Sequence, residues 1–411
     1  MATTPSIWLD KRILRMTKMI MNSTPNRGLA ERLGNELRFV PVAIGLVALM
    51  FFFATQSDVF LTSRNLNNLL VQSTVTGIIA LGLVFVLLVG EIDLSVAATS
   101  GVASVLMAML VVDSGLPIYL AIVVGIVAGM LIGAASGRWI TLIGVPSFVV
   151  TLGVGLLING VQLLLLPNTG RYNLLNTGVE KIASTYITGI SAWVLVIAAT
   201  TLFGLVRLTN HRKRVVVGLP ASFSIGVALP VCVVAAILFA MLLFLVNLRG
   251  LPMPVVLFLG LLGIMSYVAA ETRFGLYLYA IGNSAEAARR AGIKVDRIKI
   301  LAFAIAGGMA AIGGILSASR ILGVSVSSGG GVGGGALLLE SIAAAVIGGV
   351  SLFGGRGMVV GALFGALIIA TVSNGLNLMG VANEARLIVT GLLLVFAVSI
   401  DRVIEKLAGT S

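Results

Sequence analysis

The stretch that decides the reading is GNSAEAARRAGIKVDRIK, residues 282–299. It holds Glu286, Arg289, Arg290, Lys294, Asp296, Arg297 and Lys299, although only 10% of the whole chain is charged. Ser284 is a good N-cap, Glu286 follows in the first turn, Arg289 and Arg290 fall in the last, and Gly292 supplies a stop. A side-chain oxygen before the first turn, acid then base along the axis, and a terminal glycine are the marks of a helix with both ends satisfied. The order predicts a two-turn helix over about 285–291. So short a helix is marginal alone in water, so a neighbour must hold it. The residues leave two readings open, a solvated connector or a docking element for a cytoplasmic partner.

Outward from this stretch the chain is hydrocarbon. Of its 411 residues 58% are hydrophobic, and the mean hydropathy is +1.12. A soluble domain carries about 25% charged residues, and no globular core hides this much apolar surface. The expected fold is all-α, a polytopic membrane helix bundle. Spans of roughly 20 apolar residues fall at 39–56, 68–89, 94–112, 117–136, 147–166, 189–206, 222–246, 253–270, 300–319, 336–353, 358–378 and 386–400. Gly, Pro and polar residues interrupt several, so one or two are expected to be broken or re-entrant. The fifty glycines suit close helix packing in lipid.

Charge sets the orientation. With both termini cytoplasmic, 21 of the 27 Lys and Arg lie inside, leaving Arg64, Arg171, Lys181, Arg249, Arg320 and Arg386 outside. Cytoplasmic loops carry such an excess, so the net charge of +12 is topological and calls for no nucleic-acid partner. The chain divides into a basic tail 1–38, a membrane domain 39–400 containing the cytoplasmic loop 271–299, and a tail 401–411. RILRMTKMIM (12–21) reads as a basic amphipathic stretch on the inner leaflet or as a disordered tail. The outer loop 167–188 is expected to be irregular, and reads as a solvated loop or as a face toward an external partner, the first being preferred.

The chemistry classes narrow quickly. One cysteine (Cys232) and one histidine (His211, in the basic loop NHRKR) leave no material for a disulfide framework, a His-based metal site or Cys–His catalysis. GEIDLS (90–95) places Glu91 and Asp93 at the inner end of the second span, where they suggest either a proton relay or a structural cap. With no His or Lys near in sequence the structural role is preferred, Asp93 capping a helix that begins near Leu94. SSGGGVGGG (327–335) contains G-x-G-x-x-G without a β-α-β context, so it reads as a hinge or close-approach loop on the outer side. No P-loop is present, so any ATP and Mg belong to another subunit and this chain is a non-catalytic one. VGEIDLS and IGGVSLF align, Gly90 with Gly348 and Leu94 with Leu352, as an internal repeat of the kind transporters contain. Gln72, Asn159, Gln162, Glu340, Asn374 and Asn377 are polar residues within spans, suited to helix–helix bonds or to a path for a polyhydroxy solute.

GEIDLS (90–95), GVPSFVVTLG (144–153), RFGLYLYAIGNSAEAARRAGI (273–293), GGVSLFGGRG (348–357) and NGLNLMG (374–380) occur in this order. Together they make the chain resemble the permease subunits of bacterial ABC importers for monosaccharides, the ribose/xylose/galactose group. The resemblance covers roughly 66–163 and 266–400, and the extra apolar length in 167–260 resembles the xylose or multiple-monosaccharide branch. It implies a multi-pass inner-membrane protein that works as a homodimer with a cytoplasmic ABC ATPase and a periplasmic sugar-binding protein. It implies further that Glu286, Ala287, Ala288, Arg289, Arg290, Ala291, Gly292 and Ile293 form the element that couples to the ATPase. The rival expectation is a secondary transporter driven by an ion gradient through Glu91 and Asp93.

Overall fold

The computed structural model describes residues 40–399 except 217, 219–221, 247–248, 331–334, 383, 386, 394 and 397–398. The stretch 12–21 and both tails lie outside the described residues. In chain order the elements are α1 (Val40–Gln56), α2 (Ser63–Leu88), α3 (Val96–Val112), α4 (Ile118–Ile143), α5 (Ser147–Leu165), β1 (Arg171–Asn173), α6 (Lys181–Ser184), β2 (Tyr186–Ile187) and α7 (Gly189–Val216). A π-helical turn at Ser224–Ala228 leads into α8 (Leu229–Val246), followed by β3 (Leu251–Pro252), α9 (Met253–Glu271), α10 (Arg273–Asn283), α11 (Ala285–Arg290) and α12 (Val295–Ile321). Last come β4 (Gly323–Ser325), a 3₁₀ turn at Ser328–Gly330, α13 (Gly335–Ile347) and α14 (Gly361–Leu378).

Among the described residues eight helices are long and apolar enough to cross a membrane, and α1, α3 and α13 are shorter apolar helices beside them. They account for every expected span but 386–400, which is described only in part. The fold is an all-α polytopic bundle. α2, α12 and α14 form its enclosed centre, whereas α7 and α8 pack largely on each other and turn most of their surface outward. α4 carries Gly125, Gly129, Gly133 and Gly137 one turn apart, which makes a smooth stripe against α12. A Cβ on Gly133 would sit 2.0 Å from the Phe303 carbonyl oxygen, so backbone meets backbone there. In lipid, where apolar burial gives little net drive between helices, such approach supplies the packing.

Contacts between loops agree with the charge-derived sides. On the expected outer side β1 pairs antiparallel with β4, and β2 with β3. The loop 167–188 is not the solvated strand of chain expected. Leu174 and Val179 are fully buried, and the Ser319 hydroxyl donates to the Val179 carbonyl at 2.7 Å, so this segment caps the bundle. α7 runs to Val216, which makes His211 helical rather than a loop residue. The 13 described residues of α13 rise about 20 Å. The helix ends at Ile347 rather than 353. The glycine-rich segment before it makes the close approach expected of it: a Cβ on Gly329 would lie 2.2 Å from the Ala97 carbonyl oxygen near the start of α3.

Candidate functional site

The charged stretch folds as its caps require. Thr272 begins α10 by accepting the Gly275 N–H at 3.2 Å, and Leu278 and Ile281 turn into the core. Phe274 stacks on Phe85 of α2 with ring centroids 6.2 Å apart. Sequence reasoning treated 271–283 as connector, although the spacing Phe274, Leu278, Ile281 is the helical signal that reveals α10. Ser284 breaks the two helices in an extended conformation, and its hydroxyl oxygen accepts the Ala287 N–H at 3.2 Å to start α11. At the other end Gly292 has φ +83°. Its N–H donates to Arg289 O at 3.0 Å and the Ile293 N–H to Ala288 O at 3.1 Å, the paired bonds of a Schellman stop.

This geometry sorts the eight residues expected to couple. Ala288 is buried and Ile293 packs against the core, so these two fasten α11 to the bundle. Glu286, Ala287, Arg289, Arg290, Ala291 and Gly292 are exposed and form the open face. The pairs Arg290–Glu286 (3.0 Å) and Arg289–Asp296 (3.3 Å) lie on that surface, where each is worth about 0.2–1 kcal/mol.

Beneath α11 three backbone segments meet without side chains between them: the end of α2, the end of α10 and the turn 351–357. The Gly355 N–H donates to Leu88 O at 3.0 Å. A Cβ on Gly282 would lie 1.9 Å from Leu88 O and 2.2 Å from Gly355 N. Alongside, the Tyr279 hydroxyl donates to Gly357 O at 2.9 Å, and burial pushes its pKa above the ordinary value. Three of the recognised motifs thus converge here, which their separation in sequence did not reveal.

GEIDLS lies against the same junction. Lys299 donates to Glu91 in an ion pair whose side chains are 19% and 16% exposed. The sequence reading had no lysine near Glu91; Lys299 arrives from 208 positions away, on α12. Buried Asp93 accepts the Ser95 N–H at 2.8 Å and the Ser95 hydroxyl at 2.6 Å. Since α3 starts at Val96, Asp93 caps the turn ahead of that helix rather than the helix itself. The Ile92 and Leu94 N–H groups donate to Ser147 Oγ (3.1 Å) and Thr151 Oγ1 (3.0 Å) of α5. An unwound segment inside the bundle therefore keeps its donors satisfied.

The other polar candidates are dispersed. Asn374 and Asn65 exchange amide bonds at 2.8 and 2.9 Å, a structural pair between α14 and α2. Gln162 Nε2 donates to Ser325 O (3.2 Å) and Ser328 O (3.1 Å), clasping the glycine-rich segment. Asn377 is exposed, while Asn159 and Gln72 are half-buried. Neither Asn159 nor Gln72 is seen in a side-chain hydrogen bond among the described residues.

Residues 65–398 match the family described as branched-chain amino acid transport system / permease component. The xylose transport system permease protein of Escherichia coli K12 is 37% identical over 71% of this chain and 74% of its own length. The corresponding Haemophilus influenzae protein is 34% identical over 72% and 78%, and the E. coli K12 ribose import permease protein 30% over 70% and 71%. No solved structure matches the chain significantly. With a profile spanning nearly all of its helices and relatives matched along most of their length, the chain belongs to this family of membrane permease components, beside its sugar permeases.

Proposed function

We propose that this chain is the translocation subunit of an ATP-driven monosaccharide importer of the bacterial inner membrane, with a xylose-like pentose as its substrate. Two copies form the pathway. A periplasmic binding protein delivers sugar to the outer cap, and a cytoplasmic ATPase, which holds ATP and Mg, docks on α11. The observation that carries this reading is the α11 face itself: a six-residue helix exposing Glu286, Arg289 and Arg290 while Ala288 fixes it to the bundle. A helix this short persists only when held, and what its outer face offers is charge and small residues. The kinship with xylose permeases supports the substrate class.

The test is ATP-dependent uptake of D-xylose by the complex of this chain with its ATPase and binding protein in proteoliposomes. Arg289→Glu with Arg290→Glu, or Gly292 replaced, is expected to abolish uptake and sugar-stimulated ATP hydrolysis. Stimulation unchanged by those substitutions counts against docking at α11. Uptake that survives without the ATPase and collapses with a protonophore would instead favour the gradient-driven rival, in which Glu91 and Asp93 form a relay.

A further inference from the structure

We infer that the Lys299–Glu91 pair is the positioning contact through which a displacement of α11 reaches the unwound turn between α2 and α3. The inference rests on the importer reading above and names the residues that carry its coupling.

Three observations converge on it. First, α11 and the start of α12 are bonded to each other. The Schellman stop closes on Ile293, the Val295 N–H donates to Ile293 O at 2.9 Å, and Arg289 reaches Asp296 at 3.3 Å. Lys299 lies four positions inside α12, one turn beyond those bonds. Second, the pair is largely desolvated, unlike Arg289–Asp296 and Arg290–Glu286. Its side chains are 19% and 16% exposed, against 59% or more in the other two. Exposed pairs yield readily to water and salt, whereas removing one member of a largely buried pair leaves an uncompensated charge. Third, Glu91 sits where the backbone has the least resistance of its own. The stretch 91–95 has no helix ladder, and its Ile92 and Leu94 N–H groups are tied to Ser147 and Thr151. A pull on Glu91 therefore passes to the start of α3 and to α5 together. The glycine contact between α10 and the end of α2 acts differently: it is a close fit of uncharged backbone that resists compression and grips nothing.

The experiment compares wild type with Glu91→Lys, Lys299→Glu, the double exchange E91K/K299E and the neutral double variant E91Q/K299M. All are assembled with the ATPase and binding protein in proteoliposomes. D-xylose uptake and ATP hydrolysis are measured, with Tm and co-purification of the ATPase as structural readouts. Each single reversal is expected to lower uptake about tenfold or more and to raise the ATP consumed per sugar imported, while the exchange recovers most of the loss. The neutral double variant is expected to keep its Tm and its ATPase yet import poorly. Wild-type coupling in the neutral double variant overturns the inference. So do single reversals whose uptake falls only in step with Tm and assembly, since that is a structural role alone. Were the wild-type complex itself not to import D-xylose with ATP, the importer reading would fail and the inference with it.

Discussion

Replacing Gly282 by alanine tests whether the junction under α11 transmits position by direct backbone contact. The added methyl would lie 1.9 Å from Leu88 O and 2.2 Å from Gly355 N, both backbone atoms. Ordinary contact begins near 3.4 Å, so the end of α10 must retreat on the order of 1.5 Å or push the other two segments apart, in a core too dense to absorb it. Overpacking of this kind costs about 1–3 kcal/mol. If the Gly355–Leu88 bond at 3.0 Å breaks as well, it adds about 1 kcal/mol. The expected total is therefore about 2–4 kcal/mol. Thermal unfolding of the purified chain reads that loss directly, and D-xylose uptake reads the displacement of α11. Gly153→Ala is the matched control, because a Cβ there meets nothing within 4 Å and the glycine lies in a helix. A Gly282→Ala protein with the Tm and uptake of the control would refute the reasoning, since the three segments would then have room that the geometry denies them.

Two further outcomes are expected. Asn374→Leu removes both bonds of the Asn65–Asn374 exchange, and with about 0.6–1.7 kcal/mol per interhelical bond the coupling energy should be about 1–3 kcal/mol. Unfolding in detergent should show the double variant N65L/N374L losing less than the sum of the singles, and strict additivity would contradict a structural pair. At the outer cap, burial and then the Asp113 carboxylate push the Tyr172 hydroxyl up to about 12 from 10.0. A raised pKa favours the protonated form in the folded state, so this contribution is complete below pH 10 and fades as pH rises through 12. The alkaline unfolding curve of wild type should fall through that window relative to Tyr172→Phe, and parallel curves would show that the bond is not formed.

What was legible in the sequence is what local chemistry fixes. The α11 caps could be read because each end is satisfied within a few residues, Ser284 by Ala287 and Gly292 by Arg289. Span positions could be read because lipid imposes apolar length. Lys299 beside Glu91 could not, since nothing local at either residue specifies the other across 208 positions. The glycine junction was hidden for a related reason: Gly282 and Gly355 both stood in quoted motifs, but a glycine's reason for being small is the neighbour it admits. The outer cap was misread because Pro, Asn, Gly and Thr mark irregular backbone, and irregular backbone is not the same as solvated backbone. Leu174 and Val179 are buried all the same.

The two turns that align in sequence share their backbone bonds and differ at Glu91. Both turns end a helix with a left-handed glycine and the same pair of bonds: Gly90 to Leu87 and Glu91 to Val86 in one, Gly349 to Val346 and Val350 to Ala345 in the other. Both then close a side-chain turn two residues wide, Asp93 accepting from Ser95 N–H and Ser351 Oγ from Phe353 N–H. The alignment of Leu94 with Leu352 therefore stands, but the partner of Gly90 is Gly349 rather than Gly348. Between stop and turn the first copy has two residues beyond its glycine, Glu91 and Ile92, where the second has only Val350. At the position just after the glycine the longer copy has a carboxylate that meets Lys299 and the shorter an apolar valine buried in the core, while the additional residue of the longer copy is Ile92. Two turns built alike thus differ at the residue that forms the ion pair with α12, and the reversal variants at Glu91 and Lys299 read what that difference does.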